Sequence, residues 1–461
     1  MIKKEADIPK NRAESGRDWT KGNIFRNLLS LAWPMIINES LWSMGPIIDM
    51  IWVGRIGAAS IAGVGVAGIV MMLLMVSIFG LSTGARAMVS RFIGAGDAKG
   101  ANHVAQQAFV ISGVCSLVLA VIVIFLAEPI LILFGLEPDV VHQGAAYLRI
   151  QLAGSVVMSF WVMAEMIMYA SGDGATPMKI SVVARFVHLI FAPCFVLGWW
   201  IFPQMGVSGA AIANVISYFA GAVLGLWALF RGRTRLQLTM KNFHIDLNTI
   251  WRMVKIGIPA SVSGIQRSLG NLALMWLIIP FGTLAVAAHG LSQRIEGILF
   301  MPSMGLGMAS GVLVGQNLGA GQPERAEKSG WLATGLVTCI MIAGSMIILL
   351  WAEGIIRIFS SEPGLVEIAS TFLRIAAAGY LMIGFNIVLM NSISSAGDTL
   401  PPMIISLAMT WLTQLPLAYF LPKITNLGVL GVRWAIVMGL FVASVAFITY
   451  FRLGRWKRKK I

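Results

Sequence analysis

Twelve long apolar runs constrain this chain more than any other feature. A helix needs about 20 mostly apolar residues to cross the hydrocarbon core of a bilayer, and each run is long enough to supply them. Apolar residue types make up 57% of the 461 residues and charged types only 12%, about half the charged share of a soluble protein. This composition excludes a soluble enzyme, a disordered chain and a disulfide scaffold. We therefore predict an all-α integral membrane protein of about twelve transmembrane helices. The runs lie at roughly 28–53, 59–90, 104–126, 144–170, 177–201, 208–230, 256–280, 284–315, 330–352, 369–395, 402–422 and 431–451.

The two halves of the chain repeat one another at a constant offset, without a gap. Pro34 matches Pro259, for example, and Gly172-Asp173 matches Gly397-Asp398 at the same offset. Each half holds six runs, an even number, so the two repeats enter the membrane in the same orientation. We predict two six-helix bundles related by a pseudo-two-fold axis along the membrane normal. Rocking of one bundle against the other would give alternating access, which favours a transporter.

The predicted domain organisation has five parts. They are a cytoplasmic N-terminal tail at 1–27, an N-terminal six-helix bundle at 28–230, a cytoplasmic basic linker at 231–255, a C-terminal six-helix bundle at 256–451 and a basic cytoplasmic tail at 452–461.

The formal net charge of +14 is explained by topology and needs no nucleic-acid partner. If the N-terminus is cytoplasmic, most basic residues fall in cytoplasmic tails and loops, and we count Arg86 and Arg91 among them. The opposite side then receives only Arg55, Arg357 and Lys423. The positive-inside rule thus predicts that both termini are cytoplasmic, in a multi-pass protein of the cell (inner) membrane.

Sequence signatures of soluble enzymes and ATPases are absent. The chain has no GxxxxGK phosphate-binding loop and no HExxH pair, the motifs that would hold a nucleotide or a catalytic zinc ion. An intramembrane enzyme would also need a nucleophile paired with a base, and none occurs at convincing spacing. We predict that the protein is not an enzyme, has no cofactor, and draws energy from a proton or sodium gradient.

Charged residues inside the runs are the candidates for function, because a charge at the bilayer centre costs about 2.5–3.5 kcal/mol or more. Charges present in both halves, such as Arg149 and Arg374, are interpreted as structural. Four titratable residues of the N-terminal half have uncharged counterparts at the matching positions of the second half. The predicted cation-coupling residues are Asp49, Glu39, Glu165 and His188.

Asp49 is the strongest of these candidates. Asn38, Trp42 and Asp49 share one face of the first helix at 100° per residue. Pro46 should kink this helix and leave the Trp42 carbonyl without its usual donor. A carboxylate beside a free carbonyl could bind a proton or, as the only metal ion expected, sodium. The alternative is a buried aspartate bonded to neighbouring helices.

The other three candidates have evenly balanced alternatives. Glu39 is either a relay carboxylate or a packing residue. Arg185 is one helical turn from His188 and could simply neutralise Glu165.

In the C-terminal half, Arg267, Arg294 and Glu296 also break the repeat and are interpreted first as a structural charge cluster. The predicted substrate-binding residues are Trp42, Asn38, Asn214 and Arg267.

A series of short motifs extends over roughly residues 25 to 452. They are Pro34 through Asp49 to Val53-Gly54-Arg55-Ile56-Gly57, then Gly94-Ala95-Gly96-Asp97, Gly315-Gln316-Asn317-Leu318-Gly319-Ala320-Gly321, Ser171-Gly172-Asp173-Gly174-Ala175-Thr176-Pro177, Ala396-Gly397-Asp398-Thr399-Leu400-Pro401-Pro402 and Gly206-Val207-Ser208-Gly209-Ala210-Ala211. In their order, spacing and repetition, these motifs resemble the multidrug and toxic compound extrusion (MATE) family.

The resemblance implies a V-shaped pair of bundles that exports organic cations in exchange for protons or sodium. Asp49 matches the family's cation-coupling aspartate in the first helix. His188 and Ala192 stand where many prokaryotic members have Asn and Asp. Arg267 and Phe385 stand near the Glu and Asp of a sodium-linked branch, so we expect the C-terminal cation site of that branch to be missing.

The predicted function is therefore secondary antiport that exports cationic or amphipathic organic compounds, by a functional monomer in the lipid bilayer. The alternative is a flippase for a lipid-linked precursor, from the wider superfamily. A flippase would need a basic cavity that binds pyrophosphate, to which Arg185, Arg267 and Arg294 could contribute.

Overall fold

Helices make up the structure, a computed structural model that describes residues 18–133, 135, 137–459 and 461. Residues 1–17 of the predicted N-terminal tail and Lys460 of the C-terminal tail lie outside this part. The described residues form thirteen α-helices and no strand. The first half contains α1 (Ile24–Val53), α2 (Ala58–Gly94), α3 (Ala98–Leu133), α4 (Pro138–Ser171), α5 (Ala175–Leu197) and α6 (Val207–Phe230). The second half contains α7 (Leu247–Ile278), α8 (Thr283–Gly319), α9 (Pro323–Arg357), α10 (Pro363–Ser395), α11 (Leu400–Leu407), α12 (Leu415–Ile424) and α13 (Val429–Leu453).

These helices form twelve long segments in the described part of the chain. A π-helical stretch, Ala408–Gln414, joins α11 and α12 into one span, Leu400–Ile424. Among the described residues, eleven helices are long and apolar enough to cross a membrane. The twelfth, α1, has 30 residues but a lower hydropathy, since it carries Asn38, Glu39 and Asp49. The predicted all-α membrane fold is confirmed.

The sequence repeat reappears in the positions of the helices. Helices α2 to α5 begin at positions 58, 98, 138 and 175, and α8 to α11 begin at positions 283, 323, 363 and 400. Every pair of starts is separated by the offset that relates Pro34 to Pro259. The turns that end α4 and α10 also match. Gly172 and Gly397 have φ angles of 90° and 85°, a left-handed conformation that favours glycine at the end of a helix.

Each half packs as a bundle of its own. In the N-terminal bundle, α4 packs against α2, α3 and α6, and in the C-terminal bundle, α10 packs against α8, α9 and α13. Large apolar side chains cover the outside, with Phe125 77% and Leu350 68% exposed. Such a surface suits lipid, and helices suit it too because their backbone groups are bonded internally.

The two bundles contact one another at one end of the molecule, through α1 and α2 against α7 and α8. Arg91 Nη2 donates to the Ala396 carbonyl at 3.1 Å, and Gln316 Nε2 donates to the Ala170 carbonyl at 2.8 Å. Arg91 and Gln316 occupy matching positions in the two repeats, so the two bonds form a reciprocal pair across the pseudo-two-fold axis. Trp19, which donates to the Gly172 carbonyl, lies at this same end, which the charge pattern predicts to be cytoplasmic.

Arg86 is not a loop residue, so its assignment to the cytoplasmic loops was wrong. It lies within α2, is 4% exposed and donates to Asn391 Oδ1 of α10 at 3.1 Å. The apolar turns around it extend α2 to Gly94, which carries the arginine into the contact between bundles. Helices also extend past two predicted boundaries, since α1 begins at Ile24 and α7 at Leu247.

Candidate functional site

Asp49 lies at the centre of a polar cluster inside the N-terminal bundle. Its side chain is 5% exposed and accepts three hydrogen bonds. His188 Nε2 lies 3.0 Å from Oδ1, while Asn214 Nδ2 and Tyr147 Oη lie 2.6 and 3.1 Å from Oδ2. These partners come from α5, α6 and α4. A hydrogen bond to a carboxylate contributes about 1.5–3 kcal/mol, so this cluster suits a negative charge on Asp49.

Arg185 determines which nitrogen of His188 carries the proton. Its Nη1 lies 3.3 Å from His188 Nδ1, and a guanidinium group can only donate. His188 Nδ1 is therefore the acceptor, and the imidazole proton is on Nε2, facing Asp49. His188 therefore bridges Arg185 and Asp49.

Tyr147 and Gln151 complete the cluster, although the sequence did not single them out. Gln151 Nε2 donates to Tyr147 Oη at 3.0 Å, and Gln151 Oε1 is buried without a partner among the described residues. Neither residue is charged, so a search for charges that break the repeat does not find them. A search for polar residues that break the repeat does find them, because Phe372 and Ala376 stand at the matching positions of the second half.

A second acidic group lies deeper in the bundle, around Glu165. Glu165 accepts a hydrogen bond from Asn38 Nδ2 and another from Trp42 Nε1 at 3.3 Å. Asn38 and Trp42 thus contact Glu165, although the helical-face argument grouped them with Asp49. Asn214, predicted to bind substrate, contacts Asp49 instead.

Glu39 and Glu165 line one small cavity between α1, α2 and α4. We call it the acidic cavity, and its lining residues are Glu39, Trp42, Phe79, Val162, Glu165 and Met166. Two carboxylates beside aromatic rings suit a cation, because the face of an aromatic ring also attracts positive charge.

The predicted charges of the C-terminal half do not join these sites. Arg267 and Arg294 are exposed, and Glu296 pairs with Arg433 of α13 rather than with either arginine. Arg433 is 2% exposed, and its Nη1 lies 3.3 Å from His289 Nδ1. Within the described residues, no group of three or more His, Cys, Asp or Glu side chains is arranged to hold a metal ion.

Comparison with known proteins agrees with this fold along most of the chain. The MatE family model matches residues 34–194 and 259–420, one segment in each half. The chain is 26% identical to the probable multidrug resistance protein NorM of Thermotoga maritima over 441 residues, covering 95% of this chain and 94% of that one. It is 27% identical to the probable multidrug resistance protein YoeA of Bacillus subtilis, covering 96% of each.

A solved structure shares the arrangement of the helices. It is the outward-facing conformation of a multidrug resistance MATE family transporter, with a TM-score of 0.90 at 24% identity over 96% of this chain and 98% of that one. With two matched halves and a shared fold, the chain belongs to the MatE family of multi-pass membrane transporters, the multidrug and toxic compound extrusion family.

Proposed function

We propose that this protein is a secondary antiporter that exports cationic or amphipathic organic compounds in exchange for protons. The observation that carries the proposal is the Asp49 cluster, a buried carboxyl group held by hydrogen-bonding side chains from three other helices. The neighbouring acidic cavity supplies a second site, suited to an organic cation.

The donors around Asp49 favour a proton over sodium as the coupling ion. Hard cations require oxygen atoms that accept rather than donate. Here the oxygens of Asp49 face N–H groups of His188 and Asn214 and the hydroxyl of Tyr147. A proton needs only one carboxylate oxygen. A sodium ion would require at least two of these donor groups to move away or to turn an accepting atom towards it.

Protonation of Asp49 would disturb the packing of α1. A protonated carboxyl group must donate one hydrogen bond, so at least one of its contacts with α4, α5 and α6 has to reverse its direction or break. We propose that the resulting rearrangement opens the contact between the bundles and drives alternating access. His188, which fixes one side of the carboxylate, assists the coupling in this scheme.

The acidic cavity is the proposed substrate site, with Glu39 and Glu165 as its charged groups and Trp42 as its aromatic wall. Asn38 positions Glu165 through their hydrogen bond. Relatives with printed names of multidrug resistance proteins agree with a site for varied organic compounds. An acidic lining disfavours the alternative of a lipid-precursor flippase, since pyrophosphate would be repelled.

The remaining expectations follow the positive-inside argument. We propose that the protein lies in the cell (inner) membrane with both termini in the cytoplasm, and that it functions as a monomer. In this orientation the contact between the bundles closes the cytoplasmic side.

The test is ethidium movement into or out of proteoliposomes under an imposed pH gradient, without sodium. Wild type should move ethidium, and Asp49→Asn should lose the gradient-driven part while still folding. Glu128→Gln is the matched control, because Glu128 is a half-exposed carboxylate paired with Arg149 on the surface. Wild-type rates in Asp49→Asn would refute the assignment of Asp49, and movement driven only by sodium would refute proton coupling.

A further inference from the structure

Arg185 lies between the Asp49 cluster and the acidic cavity. Its Nη1 contacts His188 Nδ1, and its guanidinium carbon is 5.9 Å from the centre of the Trp42 ring. A Cβ placed on Gly45 would come within 2.6 Å of the same Nη1, so the guanidinium lies against the backbone of α1. Because Trp42, Gly45 and Asp49 follow one another at helical spacing, they share one face of α1. Arg185 therefore faces the middle of the surface that joins the two acidic sites.

The charge of Arg185 has no direct counter-ion among the described residues. The side chain is buried, its Nε has no hydrogen-bond partner in that part of the chain, and no ion pair described there includes it. A buried charge is costly without an opposite charge nearby. Asp49 acts on Arg185 through space, with the imidazole of His188 between them. The other groups that face Arg185 are neutral, namely Tyr218 of α6 and the Trp42 ring.

Trp42 connects Arg185 to the acidic cavity. Trp42, whose ring lies near Arg185, donates to Glu165 at 3.3 Å, and Glu39 lines the same cavity. Helical rise is about 1.5 Å per residue, so the Trp42 and Asp49 levels of α1 are only about 10 Å apart. An arginine side chain anchored between them can turn towards either.

We propose that Arg185 is an internal cation that competes with the organic substrate for the acidic cavity. This inference rests on the proposed function. While Asp49 is ionised, Arg185 stays against His188 and leaves Glu165 free for an organic cation, whereas Glu39 already interacts with Arg86. When Asp49 is neutralised, Arg185 loses that attraction and turns to Glu165. The bound organic cation is then released, so the proton and the organic cation cannot be carried together.

The experiment is a double-mutant cycle on equilibrium binding. Binding of ethidium to the purified full-length protein is measured at about pH 8, without a gradient, for wild type, Asp49→Asn, Arg185→Gln and the double variant. Asp49→Asn mimics the neutral carboxyl group and should weaken binding about tenfold or more, the scale expected for a unit charge brought into a partly buried site. In the Arg185→Gln background, the same substitution should change the affinity by less than about twofold.

Two further variants separate charge from structure. Arg185→Lys keeps the charge, so Asp49→Asn should still weaken binding in that background; a purely structural role would make Lys and Gln behave alike. Arg149→Gln removes an exposed arginine that is paired with Glu128 on the surface, and should leave the effect of Asp49→Asn unchanged. Size-exclusion profiles and melting temperatures check that each variant is folded.

The outcomes distinguish this inference from the proposed function. An equal loss of affinity with and without Arg185 would mean that Asp49 contacts the substrate directly, and would overturn the competition. An Arg185→Lys variant that behaves like Arg185→Gln would overturn it as well. If wild type neither binds ethidium nor moves it under a pH gradient, the proposed function fails and the inference fails with it. Normal wild-type transport without the dependence on Arg185 overturns the inference alone.

Discussion

The contact between the bundles depends on two glycines that the repeat places opposite one another. A Cβ on Gly94 would lie 2.6 and 2.7 Å from the carbonyl carbon and Cα of Gln316, and a Cβ on Gly319 would lie 2.9 Å from the carbonyl carbon of Arg91. Ordinary contacts begin at 3.4 Å. The obstructing atoms belong to the backbone and cannot rotate away. A methyl group at either position must therefore push the bundles apart until these distances reach those of an ordinary contact. Overpacking of this kind costs about 1–3 kcal/mol.

We therefore expect Gly94→Ala and Gly319→Ala to shift the protein away from the conformation that is closed at this end. A cost of about 1.4 kcal/mol changes the ratio of two conformations about tenfold. Spin labels at Lys179 of α5 and Glu324 of α9, in a background without the native cysteines, would report the separation of the bundles by pulsed electron paramagnetic resonance. Both glycine variants should show a larger population of long distances, and their double variant a larger one still.

Gly65→Ala and Gly290→Ala are matched controls on the same two helices. They also occupy matching positions in the two repeats, and a Cβ at either would meet nothing within 4 Å. Their distance distributions should match wild type. If Gly94→Ala and Gly319→Ala also matched wild type, the reasoning that these glycines permit closure would be refuted.

Two further predictions concern single hydrogen-bonded groups. Tyr147→Phe removes a donor from the Asp49 carboxylate, a bond of about 1.5–3 kcal/mol, and should slow gradient-driven ethidium movement about tenfold or more; initial rates that match wild type would contradict this. Hydrogen bonds from Thr249 and His103 hold the pKa of Asp246, at the start of α7, well below its usual value of 3.8. A lowered pKa contributes stability above the usual value of 3.8, and this contribution is lost as the pH falls through the lowered pKa, so Asp246→Ala should lower the melting temperature at about pH 5. The difference from wild type should shrink below about pH 4, and a difference that grew there would contradict the assignment.

Much of the fold could be predicted because it depends on patterns that a membrane enforces. Apolar runs of spanning length lead directly to helices, and the repeat reappears as helix starts with the same spacing. The predicted boundaries were least accurate where a charged residue enters a helix. Arg86 resembles a loop residue by its charge, yet it is buried because it reaches Asn391 in the other half, and no local pattern contains that information.

The sequence singled out some residues of the candidate site but not their grouping, and it missed Tyr147 and Gln151. Asp49 and His188 were singled out because their charges break the repeat, and they lie in contact. The face shared by Asn38, Trp42 and Asp49 was real, but α4 supplies Glu165 to two of these residues. Side chains on one helical face can therefore belong to two sites, since the neighbouring helices decide which polar groups meet.

A comparison of the two halves supports the proposed placement of coupling in the N-terminal one. Each bundle brings together a carboxylate, a histidine and an arginine, but in a different order. In the C-terminal bundle Arg433 contacts both Glu296 and His289, so the arginine pairs directly with the carboxylate.

In the N-terminal bundle the order is reversed. His188 separates Arg185 from Asp49. The carboxyl group of Asp49 is held by hydrogen bonds and has no arginine or lysine in contact among the described residues. Because an arginine keeps its charge at any physiological pH, moving it by one place in this order of contacts would convert a structural ion pair into the proposed proton site.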